Sequence, residues 1–240
     1  MVDKNNSLLI VGDGEFAQIA YEYFTYDSDY EIVAFSVENE FLKRERLFDL
    51  PVVPFEELEH HYEPTLHKVF VAVTQTPIRQ RLYEEVKIKG FCPISYVSSK
   101  AFVSRSVQIG ENCFVFENSA IQKGTNIGNN VIIWAGSVVG HSTTVKDNAF
   151  LAPNVTICGF CEIGDNAFLG ANSTIVTFKK IGRNCIVGAG AVVIGETEEG
   201  STYVGNPARR IEGSTTCDTI FKQGEILRDP KLQYSSHAKD

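Results

Sequence analysis

Every sixth residue from Val97 to Val193 is aliphatic. The ladder runs Val97, Val103, Ile109, Val115, Ile121, Ile127, Ile133, Val139, Val145, Leu151, Ile157, Ile163, Leu169, Ile175, Ile181, Val187 and Val193, seventeen rungs without a slip. A short fixed period of this kind specifies a solenoid. Each repeat is one strand and one turn, and it can bury its apolar residue only by stacking on the next repeat. Asparagine recurs at 112, 130, 148, 166 and 184, a spacing of eighteen. Asn accepts a left-handed backbone more readily than most residues, so each marks a tight corner. One such corner per eighteen residues gives three hexapeptides per coil, a triangular prism. The residues two before each rung are mostly small, and strand alternation points them into the same narrow core. Lys179 breaks that pattern and is expected to mark a local bulge or a functional edge.

The repeat ends the search for a single-domain fold, because the first ninety residues lack it. The expected layout is residues 1–90 as a Rossmann-like domain, 91–213 as the β-helix and 214–240 as a polar tail that caps the last coil and frays. In the first domain Ser7–Val11 reads as a strand, followed by Gly12-Asp13-Gly14 and a helix carrying Phe16, Ile19, Ala20, Tyr23 and Phe24 on one face. Glu31–Phe35 and Lys68–Val73 read as further strands. Thr76-Pro77 is placed as N-cap and first residue of a helix with Ile78, Leu82 and Val86 on one face. Gly12 and Gly14 suit either a phosphate cradle at a helix N-terminus or a turn without ligand. Ala17 stands where a dinucleotide fingerprint has its third glycine, which argues against NAD, although Glu38 lies near the end of the second strand.

A net charge of −8 argues against nucleic acid or an anionic membrane as the main partner. No apolar run reaches membrane-spanning length, and Ser7–Val11 is too short for a signal-peptide core. Six cysteines, three of them (Cys113, Cys161, Cys185) at inward prism positions, read as small core residues in a reducing cytoplasm. Cys158-x-x-Cys161 has no second pair, so packing rather than metal or redox chemistry is expected. Of the five histidines, His60, His61 and His67 fall in a polar connecting stretch and His237 in the tail. Only His141 lies in the repeat, at the start of a corner. It reads equally as a corner residue bonded to a carbonyl and as a general base suited to neutral pH. Gly159 follows one coil later and stacks on it; it reads either as a corner glycine that turns the chain or as one whose backbone N–H can polarise a carbonyl oxygen. Trp134 is open between walling an acceptor pocket and packing on the surface.

The ladder, Gly140-His141, Gly159 and the closing Tyr203-Val-Gly-Asn-Pro-Ala-Arg209 resemble the bacterial hexapeptide-repeat acyltransferases. With the N-terminal βαβ domain, the chain resembles the sialic acid O-acetyltransferase and UDP-amino-sugar N-acetyltransferase family over roughly residues 7 to 212. That resemblance implies a left-handed parallel β-helix and a cytoplasmic homotrimer with acetyl-CoA lying between two prisms. It implies His141 as general base, Gly159 as the glycine whose N–H meets the thioester carbonyl, and Ala171 and Ala189 as backbone positions along the CoA groove. Gly12, Gly14, Glu15, Phe16, Ser36, Val37, Thr74 and Gln75 match the nucleotide-sugar pocket, and no metal is implied. Ser142 follows the base where relatives often carry an acid or a second histidine, and Phe150 stands where some carry a further histidine. Glu15 and Phe16 replace the usual residues of the nucleotide turn. The expected activity is N-acetylation of a nucleotide-linked amino sugar in polysaccharide biosynthesis. Its rivals are O-acetylation of a sugar hydroxyl, transfer of another acyl group, and a non-catalytic nucleotide-sugar-binding β-helix.

Overall fold

The computed structural model describes residues 6–211; the tail expected over 214–240 lies outside the described residues. Strands β1 (Asn6–Val11), β2 (Tyr30–Val37), β3 (Arg46–Leu47), β4 (Leu50–Pro54), β5 (His67–Val71) and β6 (Cys92–Pro93) form one sheet in the order β3-β4-β2-β1-β5-β6. All pairs are parallel except β3 with β4. Helix α1 (Glu15–Tyr26) connects β1 to β2, α2 (Leu58–His61) is a single turn, and α3 (Thr76–Ile88) follows β5. The strands are apolar on both sides because helices or the prism cover each face. Leu8 and Ile10 pack with α1, while Leu9 and Val11 pack with Leu82 and Val86 of α3. Three local expectations shift. Gln75, not Thr76, is the N-cap of α3, His60 and His61 end α2, and His67 opens β5.

From Tyr96 onward, two-residue strands stack at intervals of eighteen into three parallel faces. The first face contains Phe114–Val115 and Ile132–Ile133, the second Ala120–Ile121 and Val138–Val139, and the third Asn126–Ile127 and Thr144–Val145. Thr202–Val204 extends the first face and pairs antiparallel with Arg209–Ile211. The rungs from Val115 to Val193 are almost wholly buried and share one core with Cys113, Cys161 and Cys185. The small inward residues have a second use. Thr125, Ser137 and Thr143 hydroxyls donate to the corner carbonyls of Gly140, Ala152 and Cys158 on the next coil, so these three buried hydroxyls are satisfied, whereas the equally buried Ser173 Oγ has no partner among the described residues. Lys179 causes no bulge: Glu162 pairs with Lys180 and Ile163 with Ile181 in unbroken register.

Each corner carries a column of left-handed residues. Asn112, Asn130, Asn148, Asn166 and Asn184 make one, with φ between 52° and 62°. Asn118, Gly136, Asn154, Asn172 and Gly190 make the next. The third is Gly124, Ser142, Phe160 and Phe178, with φ of 59° and 63° at the two phenylalanines, where a bulky side chain costs about 1–2 kcal/mol.

The outward residues of the first face are apolar as well: Tyr96, Phe114, Ile132, Phe150, Phe168 and Ile186 are all buried. Helix α1 lies against this column, with Phe16 edge-on to Phe114 at 5.5 Å and Phe24 edge-on to Tyr96 at 5.2 Å. Polar ties complete the seam. Asn112 Oδ1 accepts from the Val71 N–H at 2.8 Å, and the amides of Asn112, Asn130 and Asn148 form a ladder up the corner. The guanidinium of Arg79, fully buried on α3, donates to the carbonyls of Val73, Thr74, Asn130 and Asn148. One cation therefore links the loop after β5 to the prism.

Candidate active site

The ends of β1, β2 and β5 open on a cavity of about 360 Å³. In an open parallel sheet this edge, where the chain leaves neighbouring strands in opposite directions, is where ligands lodge. Gly12, Gly14, Glu15, Phe16, Ser36, Val37, Thr74 and Gln75 all line it. The local backbone explains the turn. Gly12 has φ 121°, and a Cβ there would lie 2.8 Å from the Ala72 carbonyl oxygen, so only glycine fits. Gly14 is the N-cap of α1, and a Cβ on it would meet nothing within 4 Å, so its face is open. The first-turn N–H groups of a twelve-residue helix supply positive potential there. Phe16 borders the cavity, but its ring is nearly buried in the aromatic seam with Phe70, Phe114 and Phe116.

Two other acids around the cavity, Asp13 and Glu38, are answered by cations that the sequence pattern does not reveal. Arg44 Nε lies 3.2 Å from Asp13 Oδ2. Arg81 grips Glu38 with both terminal nitrogens at 2.9 Å and also meets Glu85. The Glu38 carboxylate, and Glu85 less strongly, hold the Arg81 guanidinium firmly protonated. Glu38 is thus committed to an ion pair rather than left free at the end of β2.

On the prism, His141 stands exposed at the corner between the second and third faces. Its backbone N–H donates to Gln122 Oε1 at 3.1 Å. The imidazole lies against Gly159, so closely that a Cβ on that glycine would be 2.8 Å from both Cε1 and Nε2. The Phe160 N–H donates to the His141 carbonyl at 3.0 Å, and the Phe160 ring stands at 89° to the imidazole with centroids 4.9 Å apart. Among the described residues nothing accepts the Gly159 N–H and nothing hydrogen-bonds the imidazole.

Ala171 and Ala189 do not join His141 and Gly159 within one chain. They stack at the corner between the first and second faces, on the opposite edge of the second face. Trp134 packs in the seam, stacked on Phe116 at 4.2 Å, and Phe150 is buried on the first face against Phe168. Cys158 and Cys161 are both free. Sequence reasoning passes over Gln122, Phe160, Phe178, Arg44, Arg79 and Arg81. The two phenylalanines have a signal, since both fall in a column that holds Ser142 one coil and Gly124 two coils before Phe160. The arginines have none, because their partners are set by tertiary packing.

A PglD N-terminal domain model matches residues 7–86. Bacterial transferase hexapeptide models match 106–141 and 142–177, and a succinyl-transferase hexapeptide model matches 162–195. A comparison with the curated proteins gives no match. Among solved structures the chain is similar to PerB from Caulobacter crescentus, in complex with CoA and GDP-perosamine, at 28% identity over 86% of this chain and 97% of that one, TM-score 0.79. A histidine-to-asparagine mutant of perosamine N-acetyltransferase from the same organism matches at 26% identity over 87% and 98%, TM-score 0.80. The chain carries a PglD N-terminal domain followed by bacterial transferase hexapeptide repeats, and it is an acyltransferase. Its β-helix is left-handed. The acetyltransferase domain of PglB from Neisseria gonorrhoeae, with acetyl coenzyme A, shares the fold at 23% identity over 86% and 100%, TM-score 0.79. Among the described residues of the transferase, no group of His, Cys, Asp and Glu is arranged to hold a metal, and no helix is long and apolar enough to cross a membrane.

Proposed function

We propose that the transferase moves the acetyl group of acetyl-CoA to the amine of a nucleotide-linked amino sugar, with His141 as general base. The observation that carries this is the imidazole laid against Gly159, whose N–H has no acceptor among the described residues. A base and an unpaired donor side by side are what attack on a thioester needs. The neutral amine attacks the thioester carbon and a C–N bond forms. His141 takes the proton that the nitrogen sheds, and the Gly159 N–H stabilises the oxyanion. The C–S bond then breaks, the proton passes to the departing thiolate, and amide and free CoA leave. An amine requires less activation than a hydroxyl, which favours N- over O-transfer for an imidazole without a carboxylate partner among the described residues.

The cavity at the ends of β1, β2 and β5 holds the nucleotide diphosphate, with the first turn of α1 facing the phosphates. Acetyl-CoA runs between two copies of the chain. The His141–Gly159 corner and the Ala171–Ala189 corner flank the same face, so a three-fold arrangement about that face brings one copy's first corner to the next copy's second. The free thiols of Cys92, Cys113, Cys158, Cys161 and Cys185 fit a cytoplasmic enzyme supplying acetylated sugars for surface polysaccharide.

The test is thiol release from acetyl-CoA with a panel of UDP-, dTDP- and GDP-linked amino sugars. Transfer to at least one amine is expected, and His141→Ala lowers kcat about 10²–10⁴-fold while CoA and nucleotide sugar still bind. Nucleotide-sugar binding without CoA binding or thiol release would mean a non-catalytic β-helix, and would refute the proposal.

A further inference from the structure

The third corner column places phenylalanine twice where the backbone is left-handed, at Phe160 and Phe178. The other two columns use Asn or Gly at every coil described above, because those residues tolerate this conformation. Both phenylalanines are also exposed, at 49% and 66%, so burial within the chain does not compensate. Their rings are stacked, with centroids 4.9 Å apart and planes 12° from parallel. Phe160 in turn stands perpendicular to the His141 imidazole at 4.9 Å. The imidazole is thus confined on one side by the Gly159 backbone and on another by an aromatic ring. No hydrogen bond holds it among the described residues.

We propose that Phe160 is a positioning residue for His141, with Phe178 as its buttress. This rests on the reading of His141 as the general base. A histidine base ordinarily has its ring orientation set by a hydrogen bond to its second nitrogen. Here the perpendicular contact performs that office, and the strained backbone is retained because it delivers the ring to the imidazole. In this assignment Phe160 acts through the orientation of His141.

Three variants test the assignment: Phe160→Asn, Phe160→Tyr and Phe178→Gly. Asn accepts the left-handed backbone, so Phe160→Asn keeps a Tm equal to or above that of the parent while kcat falls about tenfold or more. KM for acetyl-CoA and for the sugar nucleotide stays unchanged. Phe160→Tyr keeps the ring and restores kcat, and Phe178→Gly gives a smaller loss than Phe160→Asn. A crystal structure of the parent shows one imidazole orientation, and that of Phe160→Asn shows it turned or spread over several. Parental kcat in Phe160→Asn, or an unmoved imidazole, overturns the assignment. So does a loss expressed in KM or in subunit assembly, which would make the pair a contact surface. If the parent transfers no acetyl group at all, the acetyltransferase reading fails separately, and the imidazole orientation in the two crystals still decides this one.

Discussion

Replacing Gly159 with alanine separates the chemistry of the corner from its stability. The backbone of Gly159 is outside the left-handed range, so alanine adopts it without strain, and the lost flexibility of the unfolded chain contributes about 0.4–1 kcal/mol to folding. The new methyl carbon would sit 2.8 Å from His141 Cε1 and Nε2 and 3.1 Å from its carbonyl oxygen. Ordinary contact begins at 3.4 Å, so the imidazole must withdraw by at least about 0.6 Å. It can do so cheaply, being the free end of an exposed side chain. A 1 Å misplacement of a catalytic group costs about a hundredfold, so kcat falls on the order of tenfold to a hundredfold, about 1.4–2.7 kcal/mol of transition-state stabilisation. Tm stays within about 3 °C of the parent. Gly195→Ala is the control. Gly195 occupies the same column two coils on, its Cβ would meet nothing within 4 Å, and kcat is unaffected. Thiol release from acetyl-CoA with thermal melting of each variant reads both quantities. Undiminished turnover in Gly159→Ala refutes the reasoning, as does a collapse in Tm that tracks the lost activity.

The two glycines of the nucleotide turn should behave oppositely in urea unfolding. Gly12→Ala, forced against the Ala72 carbonyl at φ 121°, loses about 1–3 kcal/mol, whereas Gly14→Ala keeps its stability and weakens nucleotide-sugar binding measured by calorimetry. Arg79→Met leaves buried carbonyls of Val73, Thr74, Asn130 and Asn148 without that donor, lowering stability by about 1–3 kcal/mol and raising KM for the sugar nucleotide more than it lowers kcat. Burial would raise the Asp27 pKa, but hydrogen bonds from Ser99, Tyr96 and Ser98 outweigh it and hold the carboxyl below its usual range. A depressed folded pKa means stability present at neutral pH and lost as the pH falls below about 4. Urea midpoints of the parent and Asp27→Asn should therefore differ at pH 7, with the gap shrinking as the pH is lowered below about 4; a constant gap refutes the linkage.

The prism is legible in the sequence because its period is imposed by geometry that every coil repeats, so seventeen aliphatic rungs spell out one core. The eighteen-residue spacing likewise puts His141 and Gly159 on one corner by counting alone. The same arithmetic stops short at Phe160 and Phe178, whose importance lies in a backbone sign that hydrophobicity does not encode. It also stops at the first face. There Phe114, Ile132, Phe150 and Phe168 each look like an ordinary strand residue beside a rung, and only the position of α1 gives some of them a partner. Lys179 reads as an interruption only where the inward rule is strict, yet the strands beside it keep register. Arg79, Arg81 and Arg44 carry no sequence signal, since each acts across elements far apart in the chain.

The oily column on the first face limits what can be done with the halves of this molecule. Tyr96, Phe114 and Phe116 are covered in large part by rings from α1, and β5 is stitched to the Asn112 amide. A prism expressed without the first ninety residues would carry a continuous greasy strip along one flank, the kind of surface that precipitates or recruits foreign chains. Changing the acceptor by grafting a different nucleotide domain onto this β-helix therefore demands that the graft bring its own matching helix. The unit that can be exchanged is the sheet edge around the cavity, not the domain.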